Sequence, residues 1–192
     1  MIVLKTERLF IRQLKEIDFQ DSIEHRMDPE VCKYISKPMT IKEVFQFVIK
    51  HSKAWKGNIN ERLALGVILR NEDKLIGELM VKYKNKTNNI VEIGFRFNKK
   101  YHSMGYAFEA TQALIYHLFI NLKVNKIIGI CDTRNIASYS LMQKLGMVKT
   151  TKIMKETMID GIPTYQMEYF ISKRIWMDKF NKINETINQE KK

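Results

Sequence analysis

The chain has 192 residues, 45% of them hydrophobic, and a formal net charge of +12 at pH 7. This length and composition predict one compact domain with a single hydrophobic core. No apolar run reaches the roughly 20 residues that a membrane span requires, and the early charges at Lys5, Glu7 and Arg8 argue against a signal peptide. The two cysteines lack metal-ligand spacing and the density of a disulfide framework. We therefore expect a cytoplasmic protein with free thiols and no metal.

The positive charge raises the question of nucleic-acid binding, which depends on clustered Lys and Arg. The basic residues are instead spread along the chain with acids among them, so nucleic-acid binding is disfavoured. The exception is the polar, basic segment 173–192. We expect residues 1–172 to form the domain and residues 173–192 to form a basic C-terminal helix or a flexible tail.

The first half of the sequence predicts a strand, two helices and a three-stranded meander. Residues 9–13 form a short strand, and residues 16–27 are compatible with a helix that a proline then stops. Thr40 and Glu43 form a capping-box pattern at the start of a second helix. The meander strands are predicted at 62–70, 75–84 and 90–98, and their short, turn-rich connections indicate antiparallel pairing.

In the second half, helices alternate with strands. The predicted elements are a helix at 105–122, a strand at 126–132, a helix at 135–145, and a terminal hairpin of 147–156 with 164–171. A meander followed by this alternation predicts an α+β domain of three layers, α/β/α. Its central sheet is expected to be mixed but mostly antiparallel, with helices on both faces.

Two polar helix starts, each directly after a strand, carry the functional signal. Gly105 opens the first helix, where unpaired backbone N–H groups and the positive dipole end suit a pyrophosphate. Asn135 caps the second helix, and Ser138 follows one turn later. Taken alone, Gly105 can be a structural turn glycine and Asn135 only a cap. If both strands are parallel, however, the two helix starts meet at one sheet edge, where open sheets bind ligands.

Several motifs occur in an order that resembles a known family. They are TERLFIR at 6–12, EIGF at 92–95, the loop and helix start at 101–110, NIAS at 135–138 and KLGM at 144–147, with Trp176 near the C-terminus. Together they resemble the GNAT superfamily, and within it the RimJ/RimL-like branch of ribosomal-protein N-terminal acetyltransferases. The resemblance covers nearly the whole chain. It implies a GNAT-like fold and an enzyme that moves an acetyl group from acetyl-CoA to a primary amine.

The resemblance leaves the acceptor open. A protein N-terminal amine is one candidate, and a small amine such as a polyamine, an amino acid or an antibiotic is another. A catalytically silent acyl-CoA-binding module is the third alternative. A homodimer also stays open.

Two departures from the family pattern concern the site. The family loop usually carries a second Gly and a basic residue, whereas this chain reads HSMGYA at 102–107 and keeps only Gly105 and the final Ala107. Backbone N–H donors do not depend on side-chain identity, but affinity for coenzyme A could be lower. Many relatives place a Tyr seven residues after the Asn, and here that position is Met142. Ser138 is therefore the better candidate for the leaving-group acid.

The family mechanism is direct attack of the amine on the thioester, without an acyl-enzyme. A base is useful at neutral pH because amine pKa values lie near 8 for an α-amine and about 10.4 for Lys. Glu92 is the candidate base, although an ordinary strand carboxylate is its simpler interpretation. The first two helices are expected to wall the acceptor pocket. By resemblance, the cosubstrate-binding residues are Phe95, Arg96, Phe97, His102, Ser103, Met104, Gly105, Tyr106, Ala107, Asn135 and Ser138.

Overall fold

The computed structural model describes residues 2–159 and 161–178, with the backbone alone at 152–157. Its strands are β1 (Val3–Lys5), β2 (Leu9–Gln13), β3 (Arg62–Leu69), β4 (Lys74–Asn85), β5 (Ile90–Phe97), β6 (Lys126–Asp132), β7 (Val148–Ile159) and β8 (Ile162–Ser172). They form one sheet in the order β1-β2-β3-β4-β5-β6-β8-β7. All neighbouring pairs are antiparallel except β5 with β6, which is parallel.

Helices cover both faces of this sheet. They are α1 (Phe19–Arg26), α2 (Pro29–Cys32), α3 (Ile41–Ser52), α4 (Tyr106–Ile120) and α5 (Ile136–Lys144). Helices α4 and α5 pack with the larger core on one face, and α1 to α3 lie on the other. The predicted three-layer α+β fold with a mixed, mostly antiparallel sheet is confirmed. None of the described helices is long and apolar enough to cross a membrane.

Local chemistry explains where α3 begins. Thr40 Oγ1 accepts a hydrogen bond from the Glu43 N–H at 3.3 Å, and Glu43 Oε2 accepts one from the Thr40 N–H at 2.7 Å. The predicted capping box is therefore present, and it satisfies two of the orphan donors at the helix start. Strand β1 and helix α2, which have three and four residues, are not predicted from the sequence. Elements of that length are too short to show a period.

The larger core lies between the sheet and α4. Leu114, Leu118 and Phe119 of α4 are fully buried and pack against strand residues such as Leu9 and Ile11. Residues 173–178 are helical, and Trp176 lies against Phe119 with ring centroids 5.4 Å apart. The remainder of the predicted basic helix or tail, residues 179–192, lies outside the described residues.

An ionic cluster centred on Glu78 of β4 is buried between α1 and the sheet. The Glu78 side chain is 1% exposed, and its Oε1 accepts from Arg26 Nε at 2.9 Å and lies 3.0 Å from His25 Nε2. Arg26 Nη2 also contacts Glu78 Oε2. Burial alone would raise the pKa of Glu78, but Arg26 and His25 outweigh it and hold that pKa well below its ordinary value. This buried ion pair therefore holds α1 against the sheet.

We expect Glu78→Gln to lower the free energy of unfolding by about 3–5 kcal/mol, because buried Arg26 would lose its counter-ion. Folding lowers the pKa of Glu78, so its contribution is complete above the unfolded carboxyl pKa of about 4.3 and declines as the pH falls below it. The difference between wild type and variant should therefore shrink in acid. Urea denaturation at several pH values measures both effects.

The matched control is Glu16→Gln, because Glu16 is exposed in the turn ahead of α1. It should change the free energy of unfolding by no more than about 0.5 kcal/mol. A Glu78→Gln variant as stable as this control would contradict the structural role of the ion pair.

Candidate active site

The parallel strands β5 and β6 separate part of the way along their length. Their register runs from Ile90 opposite Lys126 to Ile93 opposite Gly129. Beyond that point β5 continues to pair with β4, and β6 continues to pair with β8 as far as Asp132. Within the described sheet, residues 94–97 therefore have no strand on the β6 side. Their backbone groups can pair with an extended ligand that lies in the gap.

The loop that leads into α4 is shaped to present backbone N–H groups. Ser103 has φ of 61° and Gly105, the N-cap of α4, has φ of 82°. Left-handed residues in a turn make a concavity of N–H groups that binds anions, and the helix dipole adds to it. A Cβ at Gly105 would lie 3.3 Å from Arg8 Nη2 in addition to its backbone strain. The backbone of this loop is therefore suited to binding an anion such as a phosphate group.

Arg8 lies at this helix start, and the sequence analysis did not identify it. Its Nε donates to Glu109 Oε2 at 2.6 Å, its Nη1 donates to the Met104 carbonyl at 3.0 Å, and its guanidinium lies 4.4 Å from the Tyr106 ring centroid. Thr6 Oγ1 also donates to Glu109, at 2.6 Å. The link between β1 and β2 thus brings a cation to a loop that lacks one of its own. The only sequence signal was the TERL motif itself.

The predicted loop residues are brought together at this position. Residues 102–105 form the loop, and Tyr106 and Ala107 begin α4. The His102 imidazole points back to the end of β5, where Nε2 lies 2.9 Å from the Phe97 carbonyl oxygen. His102 therefore supports the loop, because its side chain lies on the Phe97 carbonyl and its backbone N–H donates to the Lys99 carbonyl at 3.1 Å.

At the start of α5, Asn135 caps the helix as predicted. Its Oδ1 accepts a hydrogen bond from the Ser138 N–H at 3.1 Å. The Ser138 side chain lies near the Cys131 thiol of β6. Burial raises the pKa of Cys131 to about 11, although Ser138 acts in the opposite direction. Met142 is fully buried, and a Cβ on Gly129 would lie 2.5 Å from its sulfur, so Met142 is a core residue.

Glu92 lies on the opposite face of β5 from the α4 side. The side chains of Phe95 and Phe97 pack toward the α4 core, and the alternation of the strand turns Glu92 toward the α1 to α3 side. Its carboxylate pairs with Lys82 Nζ at 3.0 Å and Lys84 Nζ at 3.2 Å. A hollow of about 150 Å³ adjoins it, lined by Arg62, Met80, Lys82, Glu92 and Gly94. Glu92 therefore borders a small cleft where the gap begins.

The Arg96 side chain shares the face of Glu92, so only the backbone of Arg96 lies at the free edge of β5. Its Nη2 donates to Ser36 Oγ at 2.9 Å, so the side chain reaches under the segment between α2 and α3. His25 and Arg26, at the end of the first predicted helix, are buried on Glu78. Tyr34 lies over Arg134, 5.7 Å from ring centroid to guanidinium carbon. The acceptor side is thus bordered by the segment after α2.

A second hollow lies away from this gap, at the other end of β5. A shallow hollow of about 500 Å³ lined by Trp55, Lys56, Gly57, Tyr83, Lys86 and Asn89 lies at the turn before β5, at the other end of that strand from the gap. Within residues 2–159 and 161–178, no three His, Cys, Asp or Glu side chains converge as metal ligands would. The converging helix starts, and not the volume of a hollow, identify the site.

Comparison with known proteins agrees with this geometry. Residues 8–148 match the family model described as an acetyltransferase (GNAT) domain. An uncharacterised N-acetyltransferase of Bacillus subtilis (strain 168), YnaD, is 39% identical over 145 residues, which are 75% of this chain and 81% of that protein. The crystal structure of a GNAT-family acetyltransferase from Bacillus anthracis is 31% identical, with a TM-score of 0.79, over 90% of this chain and 99% of that one.

A more distant likeness supports the fold alone. RimL, a ribosomal L7/L12 α-N-protein acetyltransferase solved in complex with coenzyme A, has 14% identity and a TM-score of 0.77, over 89% of this chain and 98% of that one. The mixed sheet, with its gap between two parallel strands that each lead to a polar helix start, agrees with an acetyltransferase family whose members use acetyl-CoA as cosubstrate. The chain belongs to the GNAT family of acetyltransferases.

We expect Arg8→Gln to weaken acetyl-CoA binding about tenfold or more, because a charged hydrogen-bond donor at the helix start is lost and Glu109 loses its neutralising partner. Isothermal titration calorimetry with acetyl-CoA measures the change. Lys123→Gln is the matched control, since Lys123 is exposed near Asn89 at the far end of β5 and loses the same charge. Equal affinities for Arg8→Gln and this control would rule out a role for Arg8 in binding.

Proposed function

We propose that this enzyme transfers the acetyl group of acetyl-CoA directly to a primary amine that enters from the α1 to α3 side of the sheet. The observation that carries the proposal is the gap between β5 and β6. Helix starts suited to the cosubstrate lie on one side of this gap, and Glu92 lies on the other. The gap therefore offers a route by which a thioester on one face meets an amine from the other.

The residues that would hold the cosubstrate follow from these positions. The N–H groups of the loop residues 103–105, with Arg8 beside them, would bind the diphosphate. The free edge of β5 at 95–97 would pair with the amides of the pantetheine arm. At the start of α5, the capping bond of Asn135 uses its side-chain oxygen, which leaves the amide nitrogen as a donor for the same arm.

Glu92 would act as the general base, directly or through one water. The base removes a proton from the acceptor ammonium, the amine nitrogen then bonds to the thioester carbon, and the carbon–sulfur bond breaks. A backbone N–H near Phe95 would stabilise the charge on the carbonyl oxygen. Ser138 would turn from Cys131 and donate its hydroxyl hydrogen bond to the departing sulfur. The ion pairs with Lys82 and Lys84 keep Glu92 at the mouth of the gap.

The identity of the acceptor amine would decide which kind of acetyltransferase this enzyme is. The sequence motifs support the RimJ/RimL-like branch, whose members act on protein N-termini. The cleft of about 150 Å³ beside Glu92 supports a small amine instead. A cytoplasmic location and a homodimer stay predictions from the sequence. A silent acyl-CoA-binding module would bind the cosubstrate and release no thiol.

We expect the wild-type protein to bind acetyl-CoA in a calorimetric titration and to release coenzyme A thiol with at least one amine in a panel of amino acids, N-terminal peptides, polyamines and aminoglycosides. Glu92→Gln should keep the binding and lose about 10²- to 10⁴-fold in kcat, since proton removal is lost. Glu16→Gln is the isosteric control on an exposed carboxylate. No acetyl-CoA binding would sink the proposal, and an unchanged kcat would remove Glu92 from the mechanism.

Substitution of Cys131 tests whether the acetyl group passes directly to the amine or first to an enzyme thiol. Its thiol lies beside Ser138, yet its raised pKa of about 11 keeps it neutral at pH 7, and a neutral thiol is a poor nucleophile. We expect Cys131→Ala to keep kcat within about tenfold of wild type, as a residue outside the covalent chemistry should. Cys32→Ala, at the other buried cysteine, is the control. Abolished turnover with a trapped acetyl-cysteine in the wild type would establish a ping-pong route instead.

A further inference from the structure

The cleft on the acceptor side carries an excess of positive charge. Arg62 and Lys82 line the cleft with Glu92, and Lys84 and Arg96 lie on the same face of β4 and β5 beside it, where Glu78 is the other carboxylate. Glu92 pairs with the two lysines. No carboxylate of the described residues forms an ion pair with Arg62 or Arg96. Such a cleft repels a polycation and attracts an anion.

The guanidinium of Arg96 is incompletely satisfied. A guanidinium carries five N–H donors. In the described part of the chain, Nη2 donates to Ser36 Oγ, whereas the buried Nη1 atom has no hydrogen-bond partner. Burial, and then the neighbouring charge of Arg26, lower the pKa of Arg96. Arg96 is therefore a cation held in a partly buried position without an anion.

The carboxylate opposite Arg96 already pairs with other side chains. Glu78 lies opposite Arg96 in the register of β4 and β5, but its two oxygens are taken by Arg26 and His25. A buried cation without a counter-ion is costly for stability. A residue that lowers stability is commonly kept because a function requires it. The missing anion is therefore expected from the substrate.

Gly94 makes room between Glu92 and Arg96. The three residues alternate on one face of β5, so consecutive members lie about 6.6 Å apart along the strand. Among the described residues, a Cβ placed on Gly94 would meet Met80 Cβ alone, at 3.8 Å. An acceptor that lies over Gly94 can thus place its amine toward Glu92 and another group toward Arg96.

We propose that the acceptor is a small amino acid and that Arg96 binds its carboxylate, while the amine lies over Gly94 within reach of Glu92. This inference rests on the acetyl transfer proposed above and adds the class of its acceptor. Arg96 has the free donors for a paired interaction with a carboxylate, which is stronger than a bond between neutral groups. Arg62, at the rim of the same cleft, adds to the attraction.

The test compares free amino acids with their C-terminal amides and with putrescine as acceptors, by thiol release from acetyl-CoA. The wild type should prefer the acid over its amide by about 10- to 100-fold in kcat/KM, the effect of one charged hydrogen-bonded contact. In Arg96→Gln this ratio should fall close to one, with the affinity for acetyl-CoA unchanged. In Arg96→Lys the ratio should be intermediate, since lysine cannot form the paired contact.

Lys123→Gln, which removes an equal charge from an exposed position at the far end of β5, should keep the wild-type ratio. The Tm of Arg96→Gln should equal or exceed that of the wild type, whereas a purely structural arginine would lower it. Equal rates with acids and amides in the wild type would overturn the carboxylate site and leave acetyl transfer intact.

If no amine releases thiol, the proposed acetyl transfer is wrong, but the carboxylate site can still be tested by binding. Calorimetry then measures the affinity of the protein, in the presence of coenzyme A, for N-acetyl amino acids and for their amides. If the acids bind to the wild type and not to Arg96→Gln, the carboxylate site is supported. If wild type and variant bind the acids equally, the site is overturned.

Discussion

The separation of β5 from β6 is the constraint on which the site depends. The two strands pair over four residues and then part at Ile93 and Gly129, while each stays paired on its other side. The sheet therefore keeps its continuity through β4 and β8 and still exposes one length of unpaired strand in its interior. An unpaired strand edge is costly unless something pairs with it. A ligand with amides along its length is the natural partner, and the same gap joins the two faces of the sheet.

Charge is distributed on the acceptor face in two ways. Glu78 binds Arg26 and His25 completely, and this closed cluster fastens α1 to β4. In the described part of the chain, Arg96, directly across from Glu78, has one hydrogen-bond partner, the neutral Ser36. The first arrangement stabilises the fold, and the second is the basis of the proposed carboxylate site. Burial and then Arg26 lower the pKa of Arg96, whereas Glu78 raises it, so Glu78 attracts both arginines but hydrogen-bonds to Arg26.

Sequence patterns predicted the elements that are long or chemically marked. The strands β3 to β5 and helix α4 show clear periods, and Thr40 and Asn135 carry cap chemistry that the structure confirms. Arg8 escaped prediction because its partner Glu109 lies 101 residues away. The sequence could have predicted that Arg96 lies on the same face of β5 as Glu92. The two residues are four apart, and side chains alternate along a strand with a period of two. The unpaired Nη1, in contrast, depends on which partners the fold brings near.

The two faces of the site recognise their ligands by different means. On the α4 side, the proposed donors belong mostly to the backbone of residues 103–105 and 95–97, so the unusual HSMGYA loop can lose a family glycine and a family cation without losing its N–H groups. Arg8 would then supply the charge from a distant segment. On the proposed acceptor side, recognition would depend on side chains that project from β5, and one substitution there would change the charge that an acceptor meets. Under this proposal the main chain binds the constant ligand, and the specificity for the variable one lies with Glu92 and Arg96.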